Sequence, residues 1–544
     1  MRFLWRHRVA FLITAAVLAG CVLALPPILG AALRGRAEEG IREAANAPAR
    51  LGSLSIHLLP PGVTLSKLEI GDPDPAAGNQ PLLRADSVRV GVSAGTVFGG
   101  APRLTFLSVS GLALSVPVDG NGESGLSRFL QGMPATRKTE LPIETLVLTD
   151  LHLATYVDHR LTRFGPPAGD PDGTLDVRLV RVRNLVVPPP GAWLGREAWI
   201  HAVVEDAVCS APASDPTPAP AGSVPDGARV EWIAVELAQA AAAGAPVRVK
   251  SIEVQGLECA SVYAQKSRPP ALDRAIGALI LGLGPLEPEG PGRGADRSVQ
   301  PGAAGLLIES LALRRGRYEV RGPDASGRPA FWRLTDLVAD GQALAFGAAV
   351  ATPVPGRLRV ASPSESSSGP GQLLLELTDL AGGYPQSSFD VHYRAEGIAG
   401  PPFTLVSQDA DGPGIAAGWI DVAFDGTCRQ GRLAVDGSLT LSPDFAVDST
   451  MAQLLASIER GRPIEPIRVR GTLDSPEASW PGSVSEVFRR AMGAIVVRGA
   501  IGGLKTTGAI VRSAIGRGAS AAGQAAKSAG GAVDSLLKGI FGGD

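Results

Sequence analysis

The chain has 544 residues, of which 45% are apolar and only 5% aromatic, and its formal net charge is −2. That length exceeds one ordinary core, and the near-neutral charge argues against an electrostatic nucleic-acid binder. Four cysteines are too few for a disulfide framework, and 68 Gly with 45 Pro favour many turns over long helices.

The N-terminus carries Arg2, Arg6 and Arg8, and Val9 to Leu33 then contains no charged residue. That apolar run exceeds the ~20 residues a helix needs to cross a bilayer. Pro26 and Pro27 fall near its outer end, where membrane helices tolerate them. It reads as an uncleaved anchor with a cytosolic N-terminus. Leu18-Ala19-Gly20-Cys21 also has the form of a lipoprotein box, so a lipidated Cys21 stays open as an alternative, as does simple cleavage. Each reading places the following body outside the inner membrane. A short linker helix is expected between the span and residue 48.

From residue 48 onward apolar and polar residues alternate: Leu54, Ile56; then Val63, Leu65, Leu68, Ile70; then Val88, Val90, Val92. Alternation of this kind belongs to strands with one dry and one wet face, and Gly, Pro, Asp and Asn punctuate each run as turns require. Further strands are expected at 175–187, 200–208, 229–237, 373–379, 388–396, 403–408, 418–425, 431–441 and 465–473. A pattern recurs: an apolar residue, apolar residues at +3 and +5, Gly, Asp or Arg at +7, then often an apolar pair at +8 and +10. It appears as Leu104, Leu107, Val109, Gly111, Leu112, Leu114; as Ile143, Leu146, Leu148, Asp150, Leu151, Leu153; as Val249, Ile252, Val254, Gly256, Leu257, Cys259; and, with Gly at +8, as Ile308, Leu311, Leu313, Arg315, Gly316, Tyr318. A partial copy begins at Leu65. Such repetition predicts an elongated, stacked β structure.

By composition, 210–227, 284–305 and 362–371 read as linkers or surface loops. Residues 271–283 and 449–460 read as short helices. From Val484 to the C-terminus eight Lys or Arg face three acids. Arg498, Lys505 and Arg512 are seven apart beside Ile501, Leu504, Val511 and Ile515, the form of an amphipathic helix lying on a membrane surface.

No dinucleotide or phosphate-binding glycine loop, metalloprotease motif or paired Cys-x-x-Cys occurs, and the six His are scattered. His152 and His159 are an odd number apart, on opposite faces of a strand. Asp72, Asp74, Asp170 and Asp172 sit in Pro-rich turns, and Asp119-Gly-Asn-Gly reads as a hairpin turn. Neither an enzyme nor a cofactor or metal is expected. Cys209 and Cys259 read as buried single thiols, with a bridge between them as the alternative.

The order basic cap, apolar span, linker and ARLGSLSIHLLPPGVTLSKLEIGDP at 49–73 resembles the start of AsmA-like proteins, relatives of TamB and of chorein-type bridge-like lipid-transfer proteins. RADSVRVGVSAGTVFGGAPRLTFLSVSGLALSVPVDGNGESGLSRFL at 84–130 continues the likeness. PIRVRGTLDSPEASWP at 466–481, with a Gly-rich tail ending SLLKGIFGG, is similar to how family members close. The resemblance covers 1–130 and 463–544. It implies a mainly β protein: an elongated, curled antiparallel sheet forming an open groove, with a transmembrane helix, a few short helices and a helical Gly/Ala-rich tail. Such a protein stands in the periplasm on a single inner-membrane span and conducts phospholipid toward the outer membrane. Envelope or outer-membrane proteins are its expected partners, and the family carries no catalytic residues.

The chain accordingly divides into a cytosolic 1–8, an anchor 9–33, a linker helix 34–47, β regions 48–209 and 228–481 around a Pro/Ala-rich loop 210–227, and a tail 482–544. Leu54, Ile56, Leu65, Val88, Val90, Leu107, Val109, Leu146 and Leu148 are the expected groove lining, solvating acyl chains collectively. The rival reading is an envelope scaffold whose β core is closed and conducts nothing.

Overall fold

A computed structural model describes residues 30–43, 45, 47–58, 60–71, 81–97, 100–101, 103–118, 140–157, 171–187, 198–210, 227–239, 247–262, 306–323, 329–346, 355–381, 387–399, 415–447, 460–472 and 476–479. Helix α1 covers 30–43. Strands β1 (Ala49–Leu58), β2 (Pro61–Gly71) and β3 (Pro81–Val92) follow, then the single turn α2 (Ala94–Val97). Next come β4 (Leu104–Ser110), β5 (Ala113–Val118), β6 (Leu141–Val157), β7 (Gly173–Val187), β8 (Ala198–Ser210), β9 (Gly227–Gln239) and β10 (Val247–Val262). The second half holds β11 (Leu306–Pro323), β12 (Pro329–Phe346), β13 (Gly356–Ser366), β14 (Gly369–Ala381), β15 (Ser388–Ala399), β16 (Ile415–Ala417), β17 (Trp419–Arg429), β18 (Arg432–Leu441), β19 (Ala446–Val447), β20 (Pro463–Gly471) and β21 (Pro476–Ser479).

Nineteen of these strands form one long curled sheet; β16 and β19 pair separately. Neighbours in the sheet are almost always neighbours in sequence, so each alternating run is laid beside the one before it. The sheet is mixed, which corrects the expectation of a wholly antiparallel one. β4 and β5 both lie parallel to β6, and β10 lies parallel to β11. The strands flanking Asp119-Gly-Asn-Gly, β5 and β6, are therefore not joined as a hairpin; the turn itself lies outside the described residues.

The recurring sequence pattern accounts for both parallel joints. Leu104, Leu107 and Val109 pair with Ile143, Leu146 and Leu148. Val249, Ile252 and Val254 pair with Ile308, Leu311 and Leu313. Copies of one pattern, side by side and in step, are what parallel strands demand, because residues with equal rank then share a face. The +7 residue has a specific role. Gly111, Asp150, Gly256 and Arg315 all hold left-handed backbone, with φ of 60°, 55°, 62° and 56°. Each interrupts the alternation and resets the face, as a β-bulge does, and bulges bend and twist a strand. Gly suits position 111 doubly, since a Cβ there would be strained by the left-handed backbone and would sit 2.2 Å from the Asp86 carboxylate. Lys67, Asn184, Asp206, Ala343, Asp379 and Gly397 are left-handed too, so the device recurs along the curl. The partial copy at Leu65 is not equivalent: its left-handed residue is Lys67, two places on, and Leu65 pairs with Val88.

The 362–371 stretch, read as a loop, is a hairpin between β13 and β14. Its serines misled: Ser362 and Ser364 are buried, and their hydroxyls donate to the carbonyls of Pro363 and Glu396. The two largest packed clusters sit at the two ends of the sheet, and smaller ones around Leu104 and Ile143, around Val249 and Ile308, and around Val116 and Leu153 lie between them. At the start, Ala37, Ile41 and Ala45 pack on Leu51, Leu54, Leu65 and Leu68. At the far end Leu377, Phe389, Phe424, Val435, Leu439 and Ile467 form one cluster with Trp332. Of the expected anchor 9–33, only the last four residues are described, as the start of α1; 403–408 and the tail lie outside the described residues. No described helix is long and apolar enough to cross a membrane.

Candidate functional site

Strand register links side chains into rows running the length of the sheet. One row passes through Leu54, Leu65, Val88, Val109 and Leu148. It continues through Val180, Val204, Ile233, Val254 and Leu313 on β7 to β11. It finishes through Ala339, Val360, Leu375, Tyr393, Phe424, Gly437 and Ile467. Seventeen strands contribute and none places a charge in it. A second row, two residues along each strand, starts Ile56, Val63, Val90, Leu107, Leu146 and runs through Val182, Ala202, Val235, Ile252 and Leu311 to Val435 and Val469. Laterally paired residues share a face, as do residues two apart on a strand, so both rows lie on one face.

All nine residues expected to line a groove fall in these two rows. The structure distinguishes among them. Leu54, Ile56, Leu65, Val90 and Leu107 are buried, whereas Val88, Val109, Leu146 and Leu148 are half-buried. The same division holds along the whole first row. Its ends are filled: Leu54 is 6% and Leu65 4% exposed, Phe424 4% and Ile467 0%. The Phe424 ring lies over Gly437, where a Cβ would come within 2.1 Å of it. Between the ends, Leu148, Val180, Val204, Ile233, Val254, Leu313, Ala339 and Val360 are half-buried on eight consecutive members of the row. None of these eight belongs to a packed cluster among the described residues. At about 4.8 Å per strand, this strip, left outside the clusters of the described residues, extends roughly 34 Å. Val254 and Leu313 were visible in the recurring pattern. Val180, Val204 and Ile233 went unnamed, although they lie at alternating positions of expected strands. The tail residues Arg498, Ile501, Leu504, Lys505, Val511, Arg512 and Ile515 lie outside the described residues.

The opposite face is polar and cross-linked by ion pairs. Arg178 reaches Glu205 at 2.6 Å and Asp206 at 2.9 Å, and Arg229 reaches Asp206 at 3.2 Å. The hydrogen bond from Arg178, then that from Arg229, holds the Asp206 carboxyl below its usual range. Lys250 pairs with Glu236, Arg315 with Glu231, Arg359 with Glu376 and Arg470 with Asp436. His152 bonds Asp176 at 2.6 Å, so it is engaged across two strands. Three charged groups are buried together among the described residues: Glu319, 0% exposed, accepts from Arg321 at 3.2 Å and from Arg333 at 2.8 Å.

Cys209 and Cys259 lie in one row on either side of Ala228, two strands apart, and both are free thiols. At two inter-strand spacings, ~10 Å, a bridge would require backbone movement. Burial pushes both thiols up to about 11; for Cys259 the neighbouring Cys209 and Glu258 add to it. Burial likewise pushes the Tyr393 phenol up to about 12. Among the described residues no group of His, Cys, Asp or Glu is placed to hold a metal. No protein-family model matches the chain, and no curated protein matches it either.

Proposed function

We propose that this chain is an AsmA-like envelope protein that binds the acyl chains of phospholipids along the uncapped apolar face of a curled, open β-groove. It stands in the periplasm on the 9–33 span and serves lipid transfer from the inner membrane toward the outer membrane, or outer-membrane homeostasis. The observation that carries this is the strip from Leu148 to Val360. Eight apolar side chains in lateral sequence are only part-buried and belong to no packed cluster among the described residues, while their counterparts at both ends of the same row are packed. A cover over so long a run of part-buried apolar side chains is favourable, since apolar area gains about 25 cal/mol per Å² on leaving water. Acyl chains cover such a strip without needing any matched polar group, and the charge-free lining asks for none. The apolar 9–33 segment leads into α1, which packs on β1 and β2, so the first strands of the sheet are the ones nearest the anchor.

The filled ends favour a second reading, a scaffold whose β core is closed. Two substitutions separate the two. Leu148→Asp puts a charge on the strip, whereas Val147→Asp puts one on the opposite face of the same strand, in the row that pairs with Ser108 and Arg181. The lipid-binding reading predicts that Leu148→Asp lowers copurified phospholipid at least fivefold while Val147→Asp leaves it unchanged, measured by mass spectrometry on folded protein. Equal lipid in both variants would favour the scaffold.

A further inference from the structure

Resting on the acyl-chain reading above, we infer that the strip is closed at both ends by the protein itself, so the chain carries a fixed load of lipid and is not a through-passage. Two independent packings carry this. At the N-terminal end, α1 packs on β1 and β2. Gly30 approaches so closely that a Cβ there would be 2.2 Å from the Leu54 carbonyl oxygen, and Ala37, Ile41 and Ala45 continue the contact onto β1 and β2. At the C-terminal end none of the described residues that pack lies on a helix. The row fills itself with Phe424 and Ile467, which join a cluster reaching back to Trp332 on β12. A file of lipids moving end to end would have to pass Leu65 and Ile467, and both are occupied by neighbouring side chains.

The size of the open part sets the load. One leaflet's acyl chains span about 15 Å, half of a ~30 Å hydrocarbon core. A strip of about 34 Å is therefore about two acyl-chain lengths long and holds on the order of two phospholipids end to end. With the ends sealed, lipid enters and leaves over the long side of the strip, headgroups outward. No charged side chain on the strip opposes that movement.

Photo-crosslinking tests this directly. p-Benzoyl-phenylalanine is placed singly at Leu148, Val254 or Val360 on the strip and at Leu65 or Ile467 at the seals, in the full chain purified from membranes. The expected result is phospholipid adducts at the three strip positions and none at the two seals, with the wild-type chain carrying about two phospholipids by quantitative extraction. Adducts at Leu65 or Ile467 as strong as at Val254, or a load several-fold above two, would overturn the closure while leaving acyl-chain binding intact. Should the bulky probe unfold a seal variant, the wild-type load alone decides between the two. Absence of lipid from every position and from the wild type would remove the acyl-chain reading itself, and the closure with it.

Discussion

Arg315 and Ala343 hold left-handed backbone, φ 56° and 49°, that L residues with a Cβ adopt at a cost of about 1–2 kcal/mol. At equivalent bulges the chain uses Gly111, Gly256, Asp150 and Asn184, which tolerate that conformation. Ala343→Gly should therefore raise stability by up to ~1 kcal/mol, the relief being partly offset by the freer unfolded chain. A fall in the thermal midpoint would mean that the curl does not depend on that conformation. Cys209 and Cys259 offer a chemical readout from the inner face. The thiolate is the reactive form, and burial has moved both groups from 9.0 to about 11. At pH 8 alkylation of the folded protein should run about a hundredfold slower than for an unshifted thiol, rising about tenfold per pH unit until about pH 11. A rate already level at pH 9 would show thiols open to water.

At the scale of elements, strand existence was legible and strand direction was not. Alternation in 175–187, 229–237 and 431–441 marked β7, β9 and β18 closely, because half-buried strands must alternate. Alternation carries no sign of whether a neighbour runs up or down. The direction was hidden in the equal rank of Leu104 with Ile143 and of Val249 with Ile308. β12 was missed because its pairing shifts between Leu334 and Val338 and its backbone turns left-handed at Ala343, so the period of two breaks inside the strand. β13 was missed because its inward positions include serines. The buried Glu319 was unreadable from sequence, since Tyr-Glu-Val-Arg has the ordinary look of an exposed edge. Glu319→Gln leaves Arg321 and Arg333 without their shared counter-charge and should cost about 3–5 kcal/mol. Arg178→Ala, on the exposed ladder, should leave the unfolding midpoint almost unchanged. Similar effects from the two would mean that the Glu319 group is hydrated.

For the whole molecule, the nine residues singled out from the sequence fall on one face, but only Leu148 is both half-buried and outside every packed cluster of the described residues. The reason is physical: period-two patterning tells which side of a strand is dry, not whether protein or ligand covers it. Cluster membership along one row adds what the pattern lacks, and it sets Leu148 to Val360 on β6 to β13 apart from the packed ends, in the part of the chain that the sequence resemblance did not cover. The most direct measurement is quantitative mass spectrometry of phospholipid bound to the purified full chain, compared with Val254→Asp on the strip and Val203→Asp on the opposite face. The acyl-chain account predicts about two phospholipids per chain in the native protein and in Val203→Asp, and a loss of most of that load in Val254→Asp. A native chain that is folded and free of phospholipid, or a load indifferent to Val254→Asp, would contradict it.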